Sequence, residues 1–319
     1  MHIGEACGPS FGRFNTPRVK FRVHKLHRLR GTPCDLLGST ARLGYMTEFH
    51  VASRMQRHDL HKLHGLGNDF LLWFQPSVPE GASELARRWC SRTTGIGADG
   101  LIIAIDNRAA PQFVLFNADG GRAELSGNGL RCFGHAIAAR RGVDELEMLV
   151  ATDVGDRAVQ ITDGLSETAS VSVGMGAPKP GPSLEGIDLS DHLDFLRADT
   201  VDLGNPHLVI EVQDSQAHDI RTIGPEIEKH FLPTGINVHL VTPTESGVRM
   251  SIWERGAGAT EACGSGACAA AAIAALSRTD QTDFIVQMPG GSATVHVGDE
   301  LTLRGPSSYV AAVEPMSWA

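Results

Sequence analysis

Two short motifs return in this chain at a single spacing, and that spacing limits its fold more than any other feature. Leu66-Gly67-Asn68 recurs as Leu203-Gly204-Asn205, and Glu124-Leu125-Ser126-Gly127-Asn128-Gly129 recurs as Glu261-Ala262-Cys263-Gly264-Ser265-Gly266, both displaced by 137 residues. Self-similarity at a fixed offset means one structural unit used twice. With 319 residues the chain is long enough for two such units, each with its own core. In each half the second motif directly precedes the strongest helical stretch, residues 128–141 in the first and 265–277 in the second. Further helices are expected over 82–90 and 224–230. Apolar runs at 71–74, 101–105 and 113–116, and again at 169–173, 209–212, 237–241, 248–253, 284–288, 293–297 and 301–303, read as buried strands. The expected class is α/β (α+β), with strands outnumbering helices, arranged as two similar halves.

Charge divides the chain elsewhere. Residues 1–58 hold ten Lys and Arg against three Asp and Glu, whereas the remainder holds eighteen against thirty-four. The first 57 residues show no sustained helical or alternating pattern and are read as a basic, disordered extension. The acidic body argues against sequence-independent binding to nucleic acid, which depends on neutralising phosphates. The longest apolar run, Ala267 to Leu276, is about half the ~18 residues of a spanning helix, so no membrane segment is expected. The six cysteines include no C-x-x-C pair. Their spacing indicates neither a metal site nor a disulfide framework, and a reducing, cytoplasmic setting follows.

Chemistry concentrates at the second motif. Cys263 stands just before an alanine-rich helix, among backbone N–H groups that lack partners. A helix N-terminus lowers a thiol pKa from about 8.5, which would make Cys263 a base or nucleophile near neutral pH. A buried, inert cysteine beside a tight turn is the competing reading. The first motif places Ser126 at the same point, where a serine can equally serve as a helix cap. If the halves face each other about a two-fold pseudo-axis, Ser126 and Cys263 meet across a cleft with two helix N-termini aimed at one ligand, an arrangement suited to a carboxylate. Asn68, Asn117, Asn205 and Asn237 lie in turn-like settings. Glu254-Arg255 follows an apolar strand and offers a carboxylate for an ammonium and a guanidinium for a carboxylate.

From about residue 58 onward the chain resembles the diaminopimelate epimerases. The resemblance runs through His64-Gly65-Leu66-Gly67-Asn68-Asp69-Phe70, Gly95-Ile96-Gly97-Ala98-Asp99-Gly100, Asn117-Ala118-Asp119-Gly120, Ser126-Gly127-Asn128-Gly129-Leu130-Arg131-Cys132, Gly204-Asn205-Pro206-His207 and Glu254-Arg255-Gly256-Ala257-Gly258 through Cys268. It implies two pseudo-symmetric domains, residues 58–174 plus about 305–319 and residues 175–304, with the active site in the cleft between them. The implied activity is interconversion of LL- and meso-2,6-diaminopimelate without a cofactor, in a homodimer whose partner is a small amino-acid substrate. Carried over residue by residue, the resemblance makes Cys263 a catalytic thiol. It assigns substrate contacts to Asn68, Asn117, Gly127, Asn128, Asn205, Asn237, Glu254, Arg255, Gly264 and Ser265, with His207 as an accessory polar group. Absence of a cofactor agrees with the setting of Lys62, Lys179 and Lys229, the lysines of this region, none of which lies in a motif suited to a Schiff base.

Two departures stand out. Ser126 occupies the place of the family's second catalytic cysteine, and Gly100 stands where many members have Gln. A serine hydroxyl does not ionise near neutral pH without help. Cys132, six positions along the helix, is more than a turn from its start and offers no substitute. Two alternatives therefore stay open: a sister enzyme, racemase or dehydratase, with Cys263 as sole thiol base, and a non-catalytic amino-acid-binding protein.

Overall fold

The computed structural model describes residues 51–314. Most of the segment read as a disordered extension, residues 1–50, lies outside the described residues. Its last part, residues 51–57, is a helix, α1, with Val51 and Met55 buried in the main core.

The first half comprises β1 (Leu60–Gly65), β2 (Asn68–Phe74), α2 (Ala82–Cys90), β3 (Gly100–Ile105), β4 (Gln112–Asn117), β5 (Arg122–Ala123), α3 (Gly127–Arg141), β6 (Leu146–Val150), β7 (Arg157–Thr162) and β8 (Thr168–Gly176). A short strand, β9 (Lys179–Pro180), leads into β10 (Arg197–Asp202), β11 (Pro206–Glu211), α4 (Ile220–Glu228), β12 (Asn237–Thr244), β13 (Gly247–Glu254), β14 (Gly258–Ala259), α5 (Gly264–Ala275), β15 (Asp283–Met288), β16 (Gly291–Val297) and β17 (Leu301–Val313). A shift of 137 residues carries each element from β1 to β8 onto one from β10 to β17, within a few residues at either end. The pairings repeat as well: β2 with β3 and β11 with β12 are parallel, while β3 with β4 and β12 with β13 are antiparallel.

Strands β8 and β17 join the halves along a pseudo-axis. They run antiparallel, with Val171 opposite Gly305 and Thr168 opposite Ser308, and the 137-residue shift exchanges these two pairs. Beyond this junction β17 continues into the first half, where Leu60 of β1 faces Val313, while β9 pairs with β10 of the second. All seventeen strands belong to one hydrogen-bonded network.

Helices α3 and α5 are the inner elements. Residues from Gly127 through Ala139 of α3 are all buried, as are Gly264 and most of Gly266–Ile273 in α5, so both are wrapped on every side; α5 is apolar nearly all round, whereas α3 also buries Asn128, Arg131 and His135, each hydrogen-bonded. Small side chains allow it: α5 is dominated by alanine and glycine, which let strands approach closely. Helices α2 and α4 are amphipathic and cover the outer faces; α2 buries Ala82, Ala86, Trp89 and Cys90 at helical spacing.

Sequence periodicity identified α2 and the inner helices but placed α4 at 224–230. The helix begins a turn earlier because Asp219 caps it, its Oδ1 accepting from the Arg221 N–H at 3.0 Å. Strands β1, β6, β7 and β10 were not anticipated. Their faces are partly exposed and carry His, Lys, Glu, Gln and Asp, so they lack the uninterrupted apolar runs of the inner strands.

Candidate functional site

The site grows from two helix starts. Ser126 has extended backbone (φ −143°) and caps α3, its Oγ accepting from the Gly129 N–H at 3.0 Å. Cys263 has the same conformation (φ −126°) and caps α5, its Sγ accepting from the Gly266 N–H at 3.3 Å. The two starts abut. A Cβ built on Gly264 would lie 3.2 Å from the Gly127 Cα and 2.9 Å from Leu303 Cδ2, and one on Gly127 would lie 2.8 Å from that same leucine carbon. Glycine at both positions is thus what allows two helix N-termini, with their unpaired N–H groups, to converge.

Around each start lies a side-chain chain of corresponding design. In the first half the Arg131 guanidinium donates to Asn128 Oδ1 (2.9 Å), Asn128 Nδ2 donates to Asn68 Oδ1 (3.0 Å) and Asn68 Nδ2 to Asp99 Oδ2 (2.7 Å). Asn128 Nδ2 also reaches the Ala262 carbonyl at 3.1 Å, so an amide of one half touches the backbone beside the cap of the other. In the second half Asn205 Nδ2 lies 3.5 Å from Ser265 Oγ, the counterpart of the Asn68–Asn128 pair. His207 Nε2 meets Asn205 Oδ1 at 3.0 Å, and His207 Nδ1 meets His239 Nε2 at 2.9 Å. Asn237, buried at the start of β12, donates to the Pro206 carbonyl and accepts from the Arg255 N–H.

Electrostatics distinguish the groups sharply. Burial pushes the Cys263 thiol well above its ordinary value and the Glu254 carboxylate beside it raises it further, outweighing the Gly266 N–H and Ser265 hydroxyl. The thiolate expected from the helix N-terminus alone is therefore not the resting state: Cys263 is a protonated thiol here. Burial also raises Glu254, against hydrogen bonds from Thr260 and Cys263; Thr260 Oγ1 donates to its Oε1 at 2.5 Å. Burial holds His207 well below the usual imidazole value and His239 at about 3, so both rings are neutral. Arg131 is completely buried and lowered to about 10 by burial; its Nη1 has no hydrogen-bond partner among the described residues. Cys132 is fully buried, and burial pushes its thiol to about 12.

The structure thus brings together Ser126, Gly127, Asn128, Asn68, Cys263, Gly264, Ser265, Asn205, His207, Asn237 and Glu254. Asn117 is exposed at the end of β4, the place Glu254 holds on β13. Arg255 is also exposed, its Nη1 donating to the Thr234 carbonyl at 2.9 Å. Gly100 opens β3, where a Cβ would fall 2.9 Å from the Phe116 carbonyl, so a longer residue there requires a shift. Three participants were missed as site residues. Asp99 and Arg131 stood inside quoted motifs without a role. His239 was hidden in a run read as a buried strand, although its two-residue separation from Asn237 puts both on one face.

The family model described as diaminopimelate epimerase matches residues 60–180 and 200–310. A diaminopimelate epimerase of Desulfitobacterium hafniense is 36% identical over 270 residues, covering 78% of this chain and 95% of the relative. That of Bacillus subtilis is 35% identical over 272 residues, with coverage of 78% and 95%. Among solved structures, a PhzF-family phenazine biosynthesis protein of Bacillus anthracis superposes with a TM-score of 0.63 at 16% identity, over 80% of this chain and 97% of that one. A hydroxyproline epimerase of Agrobacterium vitis, solved with trans-4-hydroxy-L-proline, gives a TM-score of 0.56 at 14% identity, with coverage of 79% and 90%. These two likenesses establish a shared fold.

Proposed function

The chain belongs to the diaminopimelate epimerase family, and on that premise we propose that it interconverts LL- and meso-2,6-diaminopimelate by removing and returning the proton at one α-carbon. The observation that carries this reading is the abutment of the two helix N-termini, one capped by a hydroxyl and the other by a thiol. Convergent N–H groups suit the substrate α-carboxylate and stabilise the charge that spreads into it as the proton leaves. Asn68, Asn128, Asn205, Asn237 and Ser265 orient the amino acid, with Asn117 and Arg255 closing over it. The thiol passes its proton to a carboxylate, for which Glu254 is placed beside it, and the resulting thiolate takes the α-proton. Ser126 serves the opposite face. The reaction so written needs no cofactor, and desolvation with fixed dipoles replaces an electron sink.

Residues 58–174 with about 305–314, and residues 175–304, would be the two lobes whose closure excludes water. A homodimer in the cytoplasm is the assembly and setting we assign. Ser126 itself favours a second reading: with one ionisable thiol, the protein would act as a racemase or dehydratase on a different amino acid. Incubation with LL-diaminopimelate in D2O separates these. Appearance of labelled meso product supports epimerisation, label without inversion or loss of water from a hydroxylated amino acid supports the sister enzyme, and no exchange of any amino acid leaves a binding protein.

A further inference from the structure

Behind the Cys263 cap lie two imidazoles that the proposed proton transfer does not use. His207 and His239 stand two rungs apart on the parallel strands β11 and β12, both fully buried, with ring centroids 5.2 Å apart. Asn205 Oδ1, as oriented here, accepts the proton of His207 Nε2. The His207 Nδ1 lone pair then accepts from His239 Nε2–H. His239 Nδ1 is consequently a bare lone pair, buried and without a partner among the described residues. Leaving such an acceptor unpaired forfeits the hydrogen bond it would have to water. Cys263 completes the group: one nitrogen of each imidazole and the sulfur all lie within 4.8 Å of one another. Gly266 opens the space between them, since a Cβ there would meet His239 Nε2 at 2.6 Å and Cys263 Sγ at 3.1 Å.

We propose that His207, His239 and Cys263 form a site for one borderline-soft divalent cation, Zn2+ before others, and that the metal-bound protein is a reversibly inhibited form. Two imidazoles and a thiolate are the donor set such a cation prefers, and three protein ligands leave a fourth position open. The surroundings match what supports metal ligands elsewhere: Asn205 holds the far nitrogen of His207, and the Gly266 N–H points at the sulfur. A divalent charge beside the thiolate and the Glu254 carboxylate leaves no net charge among the three. On binding, the Cys263 S–H loses its proton to solvent and an S–metal bond forms. The His207–His239 hydrogen bond breaks: the proton on His239 Nε2 moves to the unpaired Nδ1, and the lone pairs of His239 Nε2 and His207 Nδ1 go to the metal. Inhibition, though not binding, rests on the catalytic role proposed for Cys263, because the metal holds the sulfur that would carry the proton.

Co2+ titration of the full chain under a thiol-free reductant tests this. The expected result is a thiolate-to-cobalt absorption band with tetrahedral d–d bands, saturating at one equivalent and displaced by Zn2+. The band should vanish in Cys263→Ala, and His239→Asn should weaken the Cys263-dependent component more than about tenfold. X-ray absorption of the Zn2+-loaded wild-type protein should show one sulfur and two imidazole nitrogens, a readout that needs no variant to fold. A band unchanged in Cys263→Ala, unchanged affinity in His239→Asn, or a zinc shell without sulfur would overturn the site. Metal binding without loss of α-proton exchange would keep the site and overturn the inhibition.

Discussion

The two halves share a scaffold almost position for position and differ in the side chains they bring to its centre. Ser126 and Cys263 cap equivalent helices, Gly129 and Gly266 supply equivalent N–H groups, and the Asn68–Asn128 and Asn205–Ser265 pairs correspond. Yet Phe70, Ile102, Asn117 and Arg131 in the first half become His207, His239, Glu254 and Cys268 in the second. A duplicated backbone supplies twice what the backbone itself carries, a helix N-terminus and a close glycine contact. Side chains are free to diverge, and here they do so unequally: at equivalent helix starts one half has a thiol beside a carboxyl and two imidazoles, and the other has an alcohol on the same helix as a buried guanidinium.

The strongest challenge to this asymmetry is removal of the thiol. Cys263→Ala should lower α-proton exchange by at least about a hundredfold, the range of one general base, while Cys268→Ala retains most of it. Comparable losses from both, in folded proteins, would break the comparison. Next comes the opposite face. Ser126→Ala should preserve exchange of the stereoisomer whose α-proton meets Cys263 while abolishing inversion, at a stability cost of about 1 kcal/mol for the lost cap. Ser126→Cys should raise epimerisation of diaminopimelate; a folded variant with no inversion would favour the sister-enzyme reading.

Smaller effects sharpen the electrostatic contrast. Because Glu254 helps to raise the Cys263 thiol, Glu254→Gln should lower its pKa, so that alkylation by iodoacetamide sets in at lower pH than in the wild type. An unshifted alkylation profile would remove Glu254 from the account. Burial holds His61 and His135 at about 4 and His239 at about 3, below the ordinary 6.5. The unfolded chain therefore takes up protons that the folded one refuses. Stability should be full above pH 6.5 and fall progressively as pH drops toward 3, more shallowly in His239→Asn. Melting temperature against pH reads both.

A last effect, on stability and not on chemistry, concerns the start of the described chain. Val51 is 2% exposed, so Val51→Ala should cost about 1.5–2 kcal/mol for two methyl groups, and a chain beginning at Met55 should melt lower than one that keeps α1. Equal melting temperatures would return residues 51–57 to the extension.

Much of this protein is written locally. The 137-residue offset, the apolar runs of the inner strands and the Gly-rich starts of α3 and α5 are short-range patterns, and each prescribes backbone geometry wherever it occurs. They sufficed for the duplicated mixed α/β architecture and for the positions of Ser126 and Cys263 at helix starts. Tertiary structure decided the rest. Polar, half-exposed strands such as β10 form because a partner strand is present, and β17 reaches thirteen residues because it serves both halves. The helix start that should have lowered the Cys263 thiol is outweighed by burial and Glu254, neighbours that no sequence interval reports. Likewise His239 joins His207 and the thiol from a separate strand, because a residue's solvation and its nearest charges depend on which segments pack around it and not on its place in the chain.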